Sequence, residues 1–256
     1  PLVEVFGGNT RGAPHHVPLL AAAMVVEDRL PESAMVRGDI DPGQCLRAQE
    51  LARDALGRDV KLPVRVDAVA LHERLRTRYA GLARARLVHR LMLDESVRRE
   101  EAVLRVLPWD EAELWWLDAI RGHRPFTLGA SWLLVAWLNA RDDLAGLCLA
   151  CCHDPRGPSF PPGAFAELLA ELWVGVPVAE TRALDLFRKP AGDAPSELSA
   201  LGSWVLDLGG PGRRLDRGYS NRDVREAFRV AFGVAADVLY GIFEDRTAQI
   251  RAVLGG

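Results

Sequence analysis

The run VEVFGGNTRGAPHHVPLLAAAMVVEDRL, Val3 to Leu30, followed by SAMVRGDID, Ser33 to Asp41, constrains the fold more than any other stretch of the chain. A short apolar run, a Gly-rich break, a helix apolar on nearly every face and a second apolar run ending in acid follow directly on one another. A helix with no polar face belongs inside a fold, not half in water. Leu2–Phe6 therefore reads as a strand that Gly7-Gly8-Asn9 interrupts. The helix is expected from near Pro14, where a missing N–H costs nothing, to about Leu30, with Pro31 ending it.

Ala34–Ile40 reads as a second strand. Asp41-Pro42 then has the form of an N-cap and a first-turn proline, and Gly57 that of a C-terminal glycine. Val60–Val66 alternates well enough for a third strand, which Pro63 places at an edge or a bulge. The order β-α-β-α-β predicts an α+β or α/β fold: a small N-terminal parallel or mixed sheet packed on a larger helical body. We assign residues 1–67 to the sheet-bearing unit and 68–256 to the helical body. The two share one core, because five such elements bury too little apolar area alone. A further boundary is expected at residues 188–197, a stretch rich in Pro, Ala, Gly and Asp.

Past Asp67 the pattern is helical. Leu71, Leu75, Tyr79, Leu82, Leu87, Val88 and Leu91 recur at helical spacing. Further helices are expected over DEAELWWLDAIRG, Leu128–Leu138, Asp142–Cys152, Ala164–Val174 and about Asn221–Leu254, the last interrupted at Gly233 and Gly241. Trp115 and Trp116 are adjacent, so one of them is expected to turn outward, to a domain or subunit contact.

Four cysteines in a chain of 256 residues do not make a disulfide scaffold. Without a secretory leader, they point to a reducing, cytoplasmic setting. No apolar run reaches the roughly 18 residues of a membrane span. A net charge of -3 argues against a uniformly basic nucleic-acid surface.

Three clusters bear on chemistry. The first is Gly7-Gly8-Asn9-Thr10-Arg11-Gly12, leading to His15 and His16. Glycines let backbone N–H groups approach an anion, and Arg11 can clamp a phosphate or carboxylate. In an open α/β sheet, Gly8, Asn9, Thr10 and Arg11 would meet Asp39 and Asp41 at the strand ends, with a histidine as general base. The spacing matches neither G-x-G-x-x-G nor a P-loop, so a tight turn with polar dressing explains it better than an anion site. Adjacent histidines on a helix diverge, so at most one of them faces such a site.

The second is Cys148-Leu149-Ala150-Cys151-Cys152-His153. Its ligand types suit zinc, but a second half-site is missing, and the surrounding leucines favour packing inside a helix. The third is the arginine series Arg74, Arg76, Arg78, Arg84, Arg86, Arg90, Arg98 and Arg99, which reads first as a solvated helix face and second as a surface for nucleic acid or an acidic partner protein.

No nucleophile elbow or comparable catalytic signature accompanies these clusters, and no cofactor is indicated. The leading expectation is a cytoplasmic interaction protein (adaptor, regulator or immunity type) that meets a protein partner through its helical surface. The alternative is an enzyme or small-molecule binder that takes an anionic ligand at the Gly-rich turn.

Overall fold

The computed structural model describes residues 13–38, 40–93, 99–176 and 215–254. The chain divides into two compact units, Pro1–Leu107 and Pro108–Gly256. Asp67 lies within the first, as the N-cap of a helix.

In the first unit the helices are α1 (His16–Arg29), α2 (Pro42–Leu56), α3 (Ala68–Arg76), α4 (Gly81–Leu91) and α5 (Arg99–Val106), with a 3-10 turn at Val64–Val66. The caps of α2 follow from its sequence. Asp41 Oδ1 accepts the Gln44 N–H at 2.7 Å, and Gln44 Oε1 accepts the Asp41 N–H at 3.0 Å, a reciprocal capping box. Gly57 closes the helix at φ 64°, a left-handed conformation that glycine adopts without strain. Helices α1 and α2 pack on each other. Between them lies a core of Leu20, Ala21, Met24, Cys45, Ala48 and Ala52, completed by Val36, Ile40, Val60 and Leu93.

Among the described residues there is no β-strand, so the expected N-terminal sheet of the α+β assignment is not supported and those residues are helical and irregular instead. Leu2–Phe6 lies outside the described residues. Ala34–Ile40 and Val60–Val66 do turn apolar side chains inward, burying Val36, Ile40 and Val60. Their backbones do not pair with each other, and several of their groups pair with side chains instead. The carboxylate of Glu27, on the inner face of α1, accepts the Val36 N–H at 2.6 Å and the Val64 N–H at 2.9 Å. Arg74 of α3 donates to the other side of this hub, to Glu27 Oε1 at 3.0 Å and to the Ala34 carbonyl. Arg65 donates to the Val36 carbonyl at 3.5 Å and to the Leu91 carbonyl, while Gln49 donates to the Val60 carbonyl at 2.7 Å. A buried backbone group needs a partner but not a particular one. Here buried glutamate and arginine fill the places that a neighbouring strand fills in a sheet.

The second unit holds α6 (Trp109–Ile120), α7 (Leu128–Arg141), α8 (Leu144–Cys152), α9 (Pro162–Glu171), α10 (Asn221–Phe232) and α11 (Ala236–Leu254). Gly233 breaks the last two as expected, at φ 55°, whereas Gly241 continues α11. Residues 188–197 lie outside the described residues. Helix α7 is buried along most of its length, and its Trp137 ring meets Trp116 at 4.6 Å and Trp109 at 4.8 Å between centroids. Both buried indoles keep a hydrogen bond, Trp116 to the Leu133 carbonyl at 2.8 Å and Trp137 to the Asp143 carbonyl at 3.0 Å. Trp115 and Trp116 are both buried, contrary to the expectation that one faces outward, so α6 is covered on more than one side.

Helix α11 packs on α9, and α10 packs on α8 and α11. Phe228 and Phe243 meet edge to face between α10 and α11. Ser220 starts α10 with a capping box, its Oγ accepting the Asp223 N–H at 3.2 Å. Among the described residues, no helix is long and apolar enough to cross a membrane.

Candidate functional site

Gly8, Asn9, Thr10, Arg11 and Asp39 lie outside the described residues. Of that expected cluster, His15, His16 and Asp41 are described. His15 occupies the N-cap position of α1, exposed and without a side-chain cap bond, and His16 is the first, half-buried residue of the helix. Asp41 is the N-cap of α2, with its carboxylate bonded to the Gln44 N–H.

The cysteine cluster falls on α8, with Cys148 and Cys151 buried and Cys152 half-buried. Burial pushes the thiols of Cys148 and Cys151 well above the ordinary cysteine value, and that of Cys152 up to about 12. Neutral thiols in apolar surroundings are poor nucleophiles and poor metal ligands. His153, next in sequence, is exposed and lies against the Phe232 ring at 5.4 Å. Among the described residues, no group of three or more His, Cys, Asp or Glu side chains is placed to hold a metal ion.

The arginine series divides between inside and outside. Arg84 is buried and Arg74 nearly so, tied to Glu27, whereas Arg76, Arg78, Arg86 and Arg90 are exposed on α3, α4 and the turn between them. Arg99 is half-buried, and Arg98 lies outside the described residues. The series is thus not one solvated face. Part of it stabilises the first unit from within.

The surface feature with most chemical content is one the sequence reading passed over as plain helix. A groove of about 370 Å³ runs between α10 and α11, lined by Asn221, Arg222, Arg225, Glu226 and Arg229 of α10 and by Tyr240 and Glu244 of α11. Spacing puts the arginines together: residues i, i+3 and i+7 share one helix face, here opposite the buried Val224, Ala227 and Phe228. The break at Gly233 turns the chain so that α11 brings Tyr240 alongside.

Arg225 lies over the Tyr240 ring, its guanidinium carbon 4.2 Å from the centroid. The Tyr240 hydroxyl donates to Glu244 Oε1 at 3.5 Å, and Arg229 is 3.7 Å from the Glu226 carboxylate. Just before the groove, the Ser220 hydroxyl and N–H hold the Asp223 carboxyl below the usual carboxylate range, keeping the cap charged. Where α10 passes into α11, Val230, Val234 and Val238 are exposed, Val234 completely. The three-arginine spacing was visible in the sequence, but the aromatic wall depends on how the chain folds back at Gly233.

No family model matches the chain, and neither the curated proteins nor the solved structures compared with it gave a match.

Proposed function

We propose that this chain is a binding module that recognises a protein partner through the helical surface of its second unit, in a reducing, cytoplasmic setting. The observation that carries the reading is the groove between α10 and α11, where three arginines and a tyrosine converge. Arginine and tyrosine are the residue types that anchor protein interfaces, since each combines a flat apolar face with hydrogen-bonding edges. The exposed valines at the α10–α11 corner supply apolar area of the kind that a partner covers. The four free cysteines, three of them buried, suit a compartment in which thiols stay reduced.

Site-specific photo-crosslinking in the cells of origin tests this reading. A photoreactive residue at Glu226 or Val238 is expected to trap one discrete partner, and the adduct is expected to disappear when Arg225 is replaced by alanine. The same probe at Arg86, on α4, serves as the control. Equal adducts at all three positions, or none at the groove, would remove the basis of the proposal.

A further inference from the structure

We infer that the groove between α10 and α11 takes an acidic segment of the partner, with carboxylates repeated at helical spacing, read by Arg222, Arg225 and Arg229. The inference rests on the binding-module reading above and adds the chemistry of what is bound. Its first support is geometric. Arg222, Arg225 and Arg229 advance along α10 by about 4.5 Å and then about 6 Å. A helical ligand lying along α10 repeats those intervals with acids at i, i+3 and i+7, the usual arrangement when a helix lies in a groove.

The second support is the state of the guanidiniums. Arg229 already has a carboxylate, Glu226 at 3.7 Å, but both side chains are largely exposed and the pair is weak enough to exchange. Arg225 offers only its flat face to Tyr240, which leaves its in-plane N–H donors for a carboxylate. Stacking also restricts the side chain beforehand, so less freedom is lost on binding.

The third support is the charge of the lining. Three arginines face two glutamates, Glu226 and Glu244. A nucleic-acid backbone, with a charge at every step, would meet both glutamates as well as a chain of net charge -3. A peptide can space its acids to meet the arginines and place neutral residues beside the glutamates.

The experiment uses the full chain and a fluorescently labelled helical peptide with glutamates at i, i+3 and i+7 on an alanine and leucine background. The matched glutamine peptide, a single-stranded oligonucleotide and inorganic phosphate serve as competitors. The glutamate peptide is expected to bind, and the glutamine peptide to bind about tenfold more weakly or worse. Arg225→Gln is expected to weaken binding by about tenfold, and Arg222→Glu to abolish it until the facing glutamate of the peptide is changed to lysine. Arg222 and Arg225 are both exposed, so thermal melts of the variants should match the parent.

Equal binding of the glutamine peptide overturns the inference. So does displacement of the glutamate peptide by phosphate alone or by the oligonucleotide at equal concentration. The two readings fail separately. A partner crosslinked at Glu226 with no affinity for the acidic peptide leaves the binding module and removes its acid chemistry. Acidic-peptide binding without any groove adduct does the reverse.

Discussion

The two units solve the burial problem by opposite means. In the first, two extended segments that alternate like strands are held by charged side chains: Glu27 receives two backbone N–H groups, and Arg65 and Arg74 donate to carbonyls of the first segment. In the second, the centre is aromatic, with Trp137 meeting both Trp109 and Trp116, and Phe228 against Phe243. An apolar core fails gradually as area is lost. A buried ionic hub fails abruptly, because removing one member leaves the others charged and without partners. The first unit is therefore the one where a single polar substitution does most damage.

The largest test of this contrast is Glu27→Ala. It leaves the Arg74 guanidinium and two amides without their acceptor, and is expected to cost about 3–5 kcal/mol in chemical denaturation. Glu27→Gln, which keeps one acceptor, should cost less. A loss below about 1 kcal/mol for the alanine variant would show that the hub is not what holds the segments.

In the second unit, Trp116→Phe keeps most of the aromatic contact but removes the N–H bonded to Leu133, and is expected to cost about 1–3 kcal/mol. If it costs as much as Glu27→Ala, the polar bonds of the aromatic core matter as much as its packing, and the contrast collapses. The caps come next and should be equal in both units. Asp41→Ala and Ser220→Ala each remove an acceptor from a first-turn N–H, that of Gln44 or Asp223, costing about 1 kcal/mol by thermal or urea unfolding.

The smallest effect is alkaline. Burial raises the Cys45 thiol to about 11, with the nearby Asp41 carboxylate adding to it, and raises Cys152 to about 12. The folded state thus holds these protons more tightly than the unfolded chain. Their contribution is complete below the unfolded value near 9, and is lost as pH rises toward the folded values. Each buried thiol should cost a few tenths of a kcal/mol by about pH 9. The second unit carries three of the four cysteines, so replacing Cys148 and Cys151 with alanine should flatten the pH dependence more than Cys45→Ala. An equal response would mean that the thiols are not the groups titrating.

The helices were legible where local rules decide them. Asp41-Pro42 and Gly57 bound α2, and α10 begins at Asn221 and ends at Gly233, as their residues require. The sheet was misread because alternation reports only which way side chains turn. It does not say which group receives each N–H, and Glu27, at the end of an apolar helix, gave no sign of taking two of them. Arg74 was read as part of a solvated face for the same reason. In the candidate site, Arg222, Arg225 and Arg229 could have been grouped from their spacing. In a chain whose positive charge is nearly all arginine, three more in a helix attract no notice until Tyr240 is seen beside them.

Sharing one carboxylate also couples the first unit's two extended segments in time. The amides of Val36 and Val64 lie 28 positions apart in the sequence, yet both depend on the rotamer of a single glutamate. A swing of that side chain releases both at once, so their hydrogen exchange should follow one common opening rate rather than two.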